Sequence, residues 1–539
     1  MAASGKPCSF LAFALISCCL LVFTQGSDGQ QVSEPAEGGE LLKAASLRRR
    51  CGFTRYPDLC METLLGRLQG HARGHRDDLV SALVEKIRDQ TLMHISAIPH
   101  DQYGILDTNQ ANPATVGHCY ELMDMSLRRL NQSLAALRRS PRKSKHDIQT
   151  WLSAVMTFQE ACKDGVENHP GDLSTEIFDK INNLSKLASN ALALVNRITW
   201  SRPAAENAEE EEQQFPTWVS GKNRKLLQIP GPGVRANAIV AQDGTGNYET
   251  ISQAISAASG GRFVIYVKSG VYKEKLHIKK DGITLIGDGK YSTVVTGDDN
   301  ASEGTSMPGT ATVAVTGDAF IARDIGFQNT AGPGAGQALA LMISSDRSVL
   351  YRCSIAGYQD TLYAVALRQF YRECDIHGTV DFIFGNAAAV FQGCNLLLRK
   401  PRSGGYNVIL ANGRSDPGQS TGFSVHKSMI VSGAGSGSVE SYLGRPWKEY
   451  SRSVVMQSKI DGAIRSRGWI EWDDNFALKT LYFAEYLNEG PGAGTSGRVR
   501  WPGYHVMGPK DALQFTVASF IKGGSWLPST GIAFDAGLN

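Results

Sequence analysis

The stretch Gly357-Tyr-Gln-Asp-Thr-Leu362 has related polar clusters one interval before it and one interval after it. Gln337, Gln359 and Asp381 follow one another in steps of 22 residues, and each lies in a polar cluster within otherwise apolar sequence. A constant step of this size is typical of a solenoid in which each step is one coil of β-strands. Stacked strands lie about 4.8 Å apart, so residues one step apart become neighbours on one face. The pattern predicts that Asp360 and Asp381 lie together beside two amide side chains, a combination suited to ester chemistry.

A second repeat involves the cysteines of the same region. Cys353, Cys374 and Cys394 follow one another in steps of 21 and 20 residues within similar short motifs. We expect them to form a column, with Cys374 and Cys394 joined in a disulfide and Cys353 left as a buried thiol. Short β-rich segments follow Ala238, and glycines are frequent among them. Together these features predict an all-β domain, a right-handed parallel β-helix with its carboxylates on an outer sheet face.

The N-terminal half has a different texture and is predicted to be all-α. Over residues 42–200, apolar residues recur at alternating steps of four and three, as in the stripe from Ile177 to Ile198. Helices with one apolar face and short connections pack as an antiparallel four-helix bundle. Within it, a Cys119–Cys162 disulfide would join two helices, and a Cys51–Cys60 disulfide would close a small hairpin. The apolar stripes are core and hold no cofactor site.

Targeting and linker segments complete the predicted organisation. Residues 1–26 have the pattern of a signal peptide, because Lys6 precedes an apolar run and small residues follow it; the alternative, a retained membrane anchor, would need a longer run. We therefore expect a secreted, extracellular protein with no stable membrane insertion. Residues 201–227 form an acidic linker in which Arg224-Lys225 is a predicted processing site for a protease. The domain that follows is expected to span 228–539. Three glycosylation acceptor motifs begin at Asn131, Asn183 and Asn300.

Composition excludes several classes of protein. The chain has 539 residues, 42% of them hydrophobic and 20% charged, which describes a globular protein rather than a disordered one. Its net charge of +3 is too small to indicate a nucleic-acid partner. No group of His or Cys has the spacing of a zinc site, so we expect no metal and no cofactor.

The same residues carry a resemblance to a known family. Five blocks, in the family's order, are similar to those of the pectin methylesterases, and the resemblance covers residues 228–539. They are Gly270-Val-Tyr-Lys-Glu274, Gln337-Ala-Leu-Ala-Leu341, Gly357-Tyr-Gln-Asp-Thr-Leu362, Asp381-Phe-Ile-Phe-Gly-Asn386 and Leu443-Gly-Arg-Pro-Trp447. The helical half resembles the pectin methylesterase and invertase inhibitor family. The whole chain is thus similar to a plant-type precursor whose substrate is methylated pectin and whose helical pro-region is a partner of its own catalytic domain.

The resemblance assigns a role to each site residue. It implies that Asp381 is the nucleophile, that Asp360 is the general acid and base, and that Gln337 and Gln359 stabilise the oxyanion. It implies that Arg445 binds and orients Asp381.

For substrate binding, the resemblance implies that Trp447 contacts the sugar, and Tyr363 and Trp469 are also expected to face it. Met307 stands where the family often has a substrate-contacting threonine, so no contact is assigned there. His377 is expected to be a structural or surface residue rather than a proton shuttle.

These roles fit the hydrolysis of a methyl ester. Two adjacent carboxylates cannot both ionise easily, and the guanidinium of Arg445 favours the charged form of the carboxylate that it binds. Asp381 can then attack the ester carbonyl while protonated Asp360 supplies the proton that methoxide needs. Amide donors stabilise an oxyanion without titrating.

Other interpretations use the same residues. Asp381 and Arg445 could form a structural ion pair, the glutamines an amide ladder, and Trp447 part of the core. A glycosidase or lyase on the same β-helix would also use close carboxylates, but its transition state needs no oxyanion donors. Alternatively, the helical half could be the active part of a binding protein, or it could hold the enzyme inactive until it is cleaved.

Overall fold

The computed structural model describes residues 37–68, 78–96, 113–167, 172–198, 233, 235–433, 435–436 and 439–538. The chain divides into two compact units, Met1–Ser46 and Leu47–Asn539, and of the first only residues 37–46 are described. The predicted signal peptide and the acidic linker with Arg224-Lys225 lie outside the described residues. Within those residues, no helix has the length and apolar character needed to cross a bilayer.

Helices form the N-terminal part of the described chain. Helices α3 to α6 make a four-helix bundle, because α3 and α5 each pack against both α4 and α6. The predicted disulfides Cys51–Cys60 and Cys119–Cys162 are both present, the first between α1 and α2 and the second between α4 and α5. The helices are α1 (Glu37–Cys51), α2 (Pro57–Leu68), α3 (Asp78–Ser96), α4 (Pro113–Arg139), α5 (Lys145–Glu167) and α6 (Asp172–Asn196).

The remainder is a parallel β-helix, as predicted: every ladder between its strands is parallel. The eleven-stranded sheet has the order β1-β2-β5-β8-β11-β14-β17-β20-β23-β25-β26. The seven-stranded sheet has the order β22-β19-β16-β13-β10-β7-β4, and the eight-stranded sheet has β24-β21-β18-β15-β12-β9-β6-β3.

The strands are short, and most coils contribute one to each sheet. Their bounds are β1 (Ala238–Val240), β2 (Phe263–Val267), β3 (Gly270–Lys273), β4 (Leu276–Ile278), β5 (Ile283–Ile286), β6 (Thr293–Gly297), β7 (Val313–Val315), β8 (Ile321–Arg323), β9 (Gly326–Asn329), β10 (Leu341–Ile343), β11 (Ser348–Tyr351), β12 (Ser354–Ala356), β13 (Leu362–Ala364), β14 (Arg368–Arg372), β15 (Asp375–Gly378), β16 (Ile383–Gly385), β17 (Ala388–Gln392), β18 (Asn395–Leu398), β19 (Asn407–Asn412), β20 (Gly422–His426), β21 (Met429–Ser432), β22 (Ser441–Pro446), β23 (Arg452–Met456), β24 (Lys459–Ile460), β25 (Tyr482–Tyr486) and β26 (Tyr504–Val506).

Three short helices border the β-helix. Helix α7 (Ile251–Ala257) places Ile251 and Ala254 in the interior core beside the first coil. Helices α8 (Pro509–Ala512) and α9 (Val517–Phe520) pack on the outer face of the eleven-stranded sheet. Short 3₁₀ segments occur at Ala301–Glu303, Met307–Thr310, Leu513–Phe515, Gly523–Ser525 and Leu527–Thr530.

Strand alternation separates an interior core from an outer face. In β13, Leu362 and Ala364 belong to the interior core, whereas Tyr363 between them packs outside it. The interior core draws only on residues between 238 and 504, so the β-helix closes its own core. The one-residue corner between the eleven-stranded and eight-stranded sheets repeats a left-handed conformation, as at Arg352 and Glu373 with φ of 51° and 55°. Such repetition keeps successive coils in register.

The predicted Cys374–Cys394 disulfide is wrong. Cys353, Cys374 and Cys394 are all free and buried. Each precedes an equivalent residue of the parallel strands β12, β15 and β18, so the three side chains stack in the same direction inside the coil. A disulfide needs Cβ atoms that point toward each other, about 3.8 Å apart, and parallel stacking at about 4.8 Å does not provide this. The column itself was predicted correctly.

The three glycosylation motifs differ in exposure. Asn131 and Asn183 lie exposed on helices α4 and α6. Asn300 is 5% exposed, and its side chain is held by hydrogen bonds to Asp298 and Ser302. A bulky glycan does not fit at Asn300 in this folded state.

Candidate active site

Asp381 lies at the corner that leads into β16 and is bound by a guanidinium fork. Arg445, on β22, donates from Nε to Asp381 Oδ1 at 2.8 Å and from Nη2 to Oδ2 at 2.5 Å. Its third nitrogen, Nη1, donates to the Tyr406 hydroxyl at 3.2 Å, and its carbon Cζ lies 4.2 Å from the centroid of the Trp472 ring. This bidentate geometry favours the ionised carboxylate. Asp381 has a left-handed backbone with φ of 50°, a conformation that costs a non-glycine residue energy and is frequent at functional sites.

Asp360 occupies the equivalent corner one coil earlier, two residues before Leu362, which pairs with Ile383. Its φ is 58°, and Gln337 Nε2 donates to its Oδ2 at 3.0 Å. Burial and the neighbouring charge of Asp381 raise the pKa of Asp360 well above its usual range. Burial also raises the pKa of Asp381, but Arg445 opposes that rise. Asp381 is therefore the carboxylate that ionises first, and Asp360 retains its proton to higher pH.

The two glutamines are adjacent, as the 22-residue step predicts, but the step does not continue to Asp381. Gln337 and Gln359 form an isolated parallel bridge. Asp360 donates its backbone N–H to Val380, so the partner of Asp360 in the next coil is Asp381, one residue beyond the predicted step. Both aspartates thus share one corner of the β-helix, with the glutamine pair before them.

An aromatic cluster lies on the outer face of the seven-stranded sheet. Tyr363 on β13 stacks on Phe384 on β16 with ring centroids 4.3 Å apart. Trp447 meets both rings edge-on, at 6.4 Å and 5.8 Å. Flat aromatic faces of this kind are suited to sugar rings. Trp447 and Tyr363 thus lie where the sequence predicts them.

Trp469 does not face the outside, and its predicted role is wrong. It is fully buried in the interior core, stacks on Phe483 and donates its indole N–H to Glu485. His377 lies on β15 in the eight-stranded sheet rather than the seven-stranded one, and burial lowers its pKa. This agrees with the structural role expected for it.

The four-helix bundle packs on this same outer face. Bundle residues share one apolar cluster with Tyr363, Phe384 and Trp447, and Asp360 and Asp381 are each only 5% exposed. Polar contacts come mainly from α5. Thr157 accepts a hydrogen bond from Asn386 at 2.8 Å, and the carbonyl of Ser153 accepts one from Gln419 at 3.0 Å.

Ion pairs join the bundle to the β-helix on either side of this face. Near the aromatic cluster, Lys448 Nζ contacts Asp164 at 2.5 Å and Glu160 at 3.3 Å, both on α5. At another corner, Arg129 on α4 forms a bidentate pair with Asp318, with both distances 2.7 Å. A cavity of about 650 Å³ remains between α4 and the first strands of the seven-stranded sheet, lined in part by His118, His277 and Tyr363.

Comparisons with known proteins decide the family. The pectinesterase family model matches residues 237–524, and the plant invertase/pectin methylesterase inhibitor model matches residues 45–194. The chain belongs to the pectinesterase family. It is therefore a carboxylic ester hydrolase with an inhibitor-like pro-region.

Individual relatives agree with this assignment. The chain is 42% identical over 517 residues to "Probable pectinesterase/pectinesterase inhibitor 34" of Arabidopsis thaliana, covering 92% of this chain and 86% of that one. It is 47% identical over 441 residues to "Pectinesterase 2" of Citrus sinensis, covering 80% and 83%. The solved structure "Pectin methylesterase from Carrot" is 50% identical with a TM-score of 0.55, and covers 56% of this chain and 98% of its own. That share matches the size of the β-helix, so a pectinesterase β-helix folds as a chain of its own.

The sequence left several neighbours of the site unassigned. Phe384 lies 21 residues after Tyr363 and in register with it, so the coil period could have identified it. Tyr406 and Trp472 reach Arg445 from segments outside the repeats, and no periodic signal marks them. Met307 packs partly buried against the bundle cluster. Among the described residues no group of three His, Cys, Asp or Glu side chains could hold a metal.

Proposed function

We propose that this pectinesterase hydrolyses the C6 methyl ester of galacturonate units in pectin through Asp381 and Asp360, giving methanol and a free carboxylate. Membership of the family supports the reaction and the substrate class. The observation that carries the assignment of residues is the pairing at one corner of the β-helix: Asp381 is forked by Arg445, and next to it Asp360 has a pKa well above its usual range.

In the first half of the reaction, the ionised oxygen of Asp381 attacks the ester carbonyl carbon and forms a tetrahedral oxyanion. When the oxyanion collapses, the bond to the methoxy oxygen breaks and Asp360 transfers its proton to that oxygen, so methanol leaves. The product at this stage is an anhydride between galacturonate and Asp381. The raised pKa of Asp360 keeps its proton available at the pH at which Asp381 is already charged.

In the second half, Asp360 is ionised and takes a proton from water as that water attacks the galacturonate carbonyl. The anhydride bond then breaks, which releases the galacturonic acid and restores ionised Asp381. Asp360 ends the cycle protonated, so both carboxyl groups return to their starting states. The sum is ester plus water giving acid plus methanol.

The glutamines would serve the oxyanion. A glutamine amide has two N–H donors, and one of those on Gln337 is engaged with Asp360 at 3.0 Å. The second donor of Gln337 and the amide of Gln359 remain for the developing negative charge. Loss of one such donor costs roughly 3 kcal/mol of barrier in comparable sites. The rings of Trp447, Tyr363 and Phe384 would hold the sugars on either side of the reacting unit.

The product distinguishes an esterase from a glycosidase. Residues 228–539 should release methanol from methylated pectin without a matching rise in reducing ends. Reducing ends without methanol would reject the esterase. Arg402→Met, a change at an exposed arginine outside the site, is the matched control and should leave methanol release unchanged.

We also propose that the helical pro-region keeps the enzyme inactive, because the bundle packs over the aromatic cluster and both aspartates. Secretion into the cell wall and cleavage by a protease at Arg224-Lys225 would then release the active β-helix. Cleavage within 201–227 and removal of the helical part should raise methanol release severalfold or more. An uncut chain as active as the separated β-helix would contradict this proposal.

A further inference from the structure

The cation Lys448 lies next to the aromatic cluster and is the starting point for a specificity assignment. It directly follows Trp447, and its Nζ lies 5.9 Å from the Trp447 ring centroid. Its side chain is 22% exposed, so it is largely removed from water. Among the described residues, both carboxylates that contact the Lys448 ammonium, Asp164 and Glu160, belong to α5 of the pro-region.

Those two carboxylates lie along the same face as the reacting pair. The charges of Asp164 and Asp360 both raise the pKa of Tyr363, whose own burial is the largest cause of that rise. Tyr363 therefore lies within electrostatic reach of the pro-region carboxylate and of the catalytic pair. Lys448 and Asp360 are thus connected by the ring of Tyr363 and the edge of Trp447.

The substrate polymer offers only one group that matches this site. A methylated galacturonate unit is uncharged at C6, whereas a demethylated unit carries a carboxylate. A partly buried ammonium without a partner is costly, and a carboxylate is its natural ligand. In the precursor Asp164 and Glu160 stand in for that carboxylate.

We propose that Lys448 is a subsite for the free C6 carboxylate of a galacturonate unit that has already been demethylated. This rests on the proposed function and deepens it. The subsite makes the enzyme prefer a methyl ester with a free acid a short distance along the chain, so each turnover creates a better substrate nearby. Demethylation would then extend in blocks from existing acidic units. The pro-region occupies the same subsite with its own carboxylates.

The test compares two oligomers of equal length with residues 228–539. One is fully methylated, and the other carries methyl esters flanked by free carboxylates. Lys448→Met should lower the ratio of kcat/KM on the second oligomer to that on the first by roughly tenfold, the loss expected for one charge-assisted contact. Lys448→Arg keeps the positive charge and should retain most of the ratio. Lys459→Met, at an exposed lysine on the eight-stranded sheet, should leave it unchanged.

Binding of product gives a second, independent measurement. Fully demethylated oligogalacturonate should compete with substrate for the wild-type enzyme, and its inhibition constant should rise by a similar factor in Lys448→Met. High salt should reduce the difference, because screening weakens the contact. Equal losses on both oligomers together with unchanged product inhibition would overturn the subsite and leave Lys448 as an anchor for the pro-region alone. If the wild-type enzyme releases no methanol from either oligomer, the proposed function itself fails.

Discussion

At the residue scale, the chemistry depends on which of two buried carboxylates is charged. Asp360 and Asp381 have similar corners and similar burial, and Arg445 distinguishes them because it forks only Asp381. The adjacency of the two aspartates follows from the coil period and could be predicted from the sequence. The contributions of Tyr406 and Trp472 could not, because they come from non-repeating segments that the fold brings to Arg445. Trp469 was misassigned because a tryptophan near a motif does not reveal which face of the coil it occupies.

Removal of the guanidinium should change the pH dependence of catalysis. Arg445 lowers the pKa of Asp381, so in Arg445→Met that pKa rises and Asp381 becomes protonated at higher pH. The acidic limb of the kcat/KM profile should therefore move upward by about one to three pH units, the range seen for a carboxylate beside an arginine. A pH–rate profile of residues 228–539 measures this, with Arg402→Met as control. An unmoved acidic limb would mean that Arg445 does not set the charge of the reacting carboxylate.

The raised pKa of Asp360 should also affect stability. A carboxyl whose folded pKa exceeds its unfolded pKa favours folding below the unfolded pKa, and this contribution is lost as pH rises through the folded pKa. Asp360→Asn removes the titration, so the variant should be more stable than the wild type at neutral pH. Each unit of pKa shift corresponds to about 1.4 kcal/mol, so a gain on the order of 1 kcal/mol or more is expected. Urea unfolding at pH 4 and pH 7 tests this, and a variant that loses stability at pH 7 contradicts it.

At the element scale, the strands and helices were largely predictable, whereas their side-chain directions were less so. Helical stripes such as Ile177 to Ile198 correspond to α6, and the disulfides between helices were correctly paired. The wrong Cys374–Cys394 pairing arose because a repeat in the sequence gives adjacency but not the direction of Cβ. Helix α5 also carries polar residues such as Ser153 and Thr157 that contact the β-helix, and its apolar pattern gives no sign of that second contact.

The cysteine column can be tested by labelling. Cys353, Cys374 and Cys394 should resist a thiol reagent in the native protein, because all three are fully buried. Under denaturing, non-reducing conditions all three should react, while Cys51, Cys60, Cys119 and Cys162 stay protected as disulfides. Peptide mass spectrometry identifies the labelled residues. A bridged Cys374–Cys394 peptide would restore the pairing that the sequence favoured.

Helix α5 should control how firmly the pro-region is held. Glu160→Gln with Asp164→Asn keeps the shape of both side chains and removes the ion pairs with Lys448. The uncut double variant should release methanol faster than the uncut wild type, by up to about tenfold, because a charge-assisted contact is lost. Glu167→Gln, at an exposed position on the same helix, is the control and should have no effect. Equal rates for the double variant and the wild type would show that these pairs do not hold the pro-region closed.

At the scale of the whole molecule, two folds that are each closed by their own core meet on one functional face. The β-helix presents its catalytic corner and aromatic cluster on the seven-stranded sheet, and the bundle covers both. The two fold classes could be read from sequence periodicity. The docking of one on the other could not, because it depends on matched surfaces such as Arg129 with Asp318 that are far apart in the chain.

The most direct test of the central assignment is methanol release by residues 228–539 carrying Asp381→Asn. This change keeps the size of the side chain and removes the nucleophilic charge, so turnover of methylated pectin should fall by roughly a thousandfold or more. Circular dichroism should show the same β-rich fold as the wild type. A correctly folded Asp381→Asn variant that still released methanol at the wild-type rate would contradict the account.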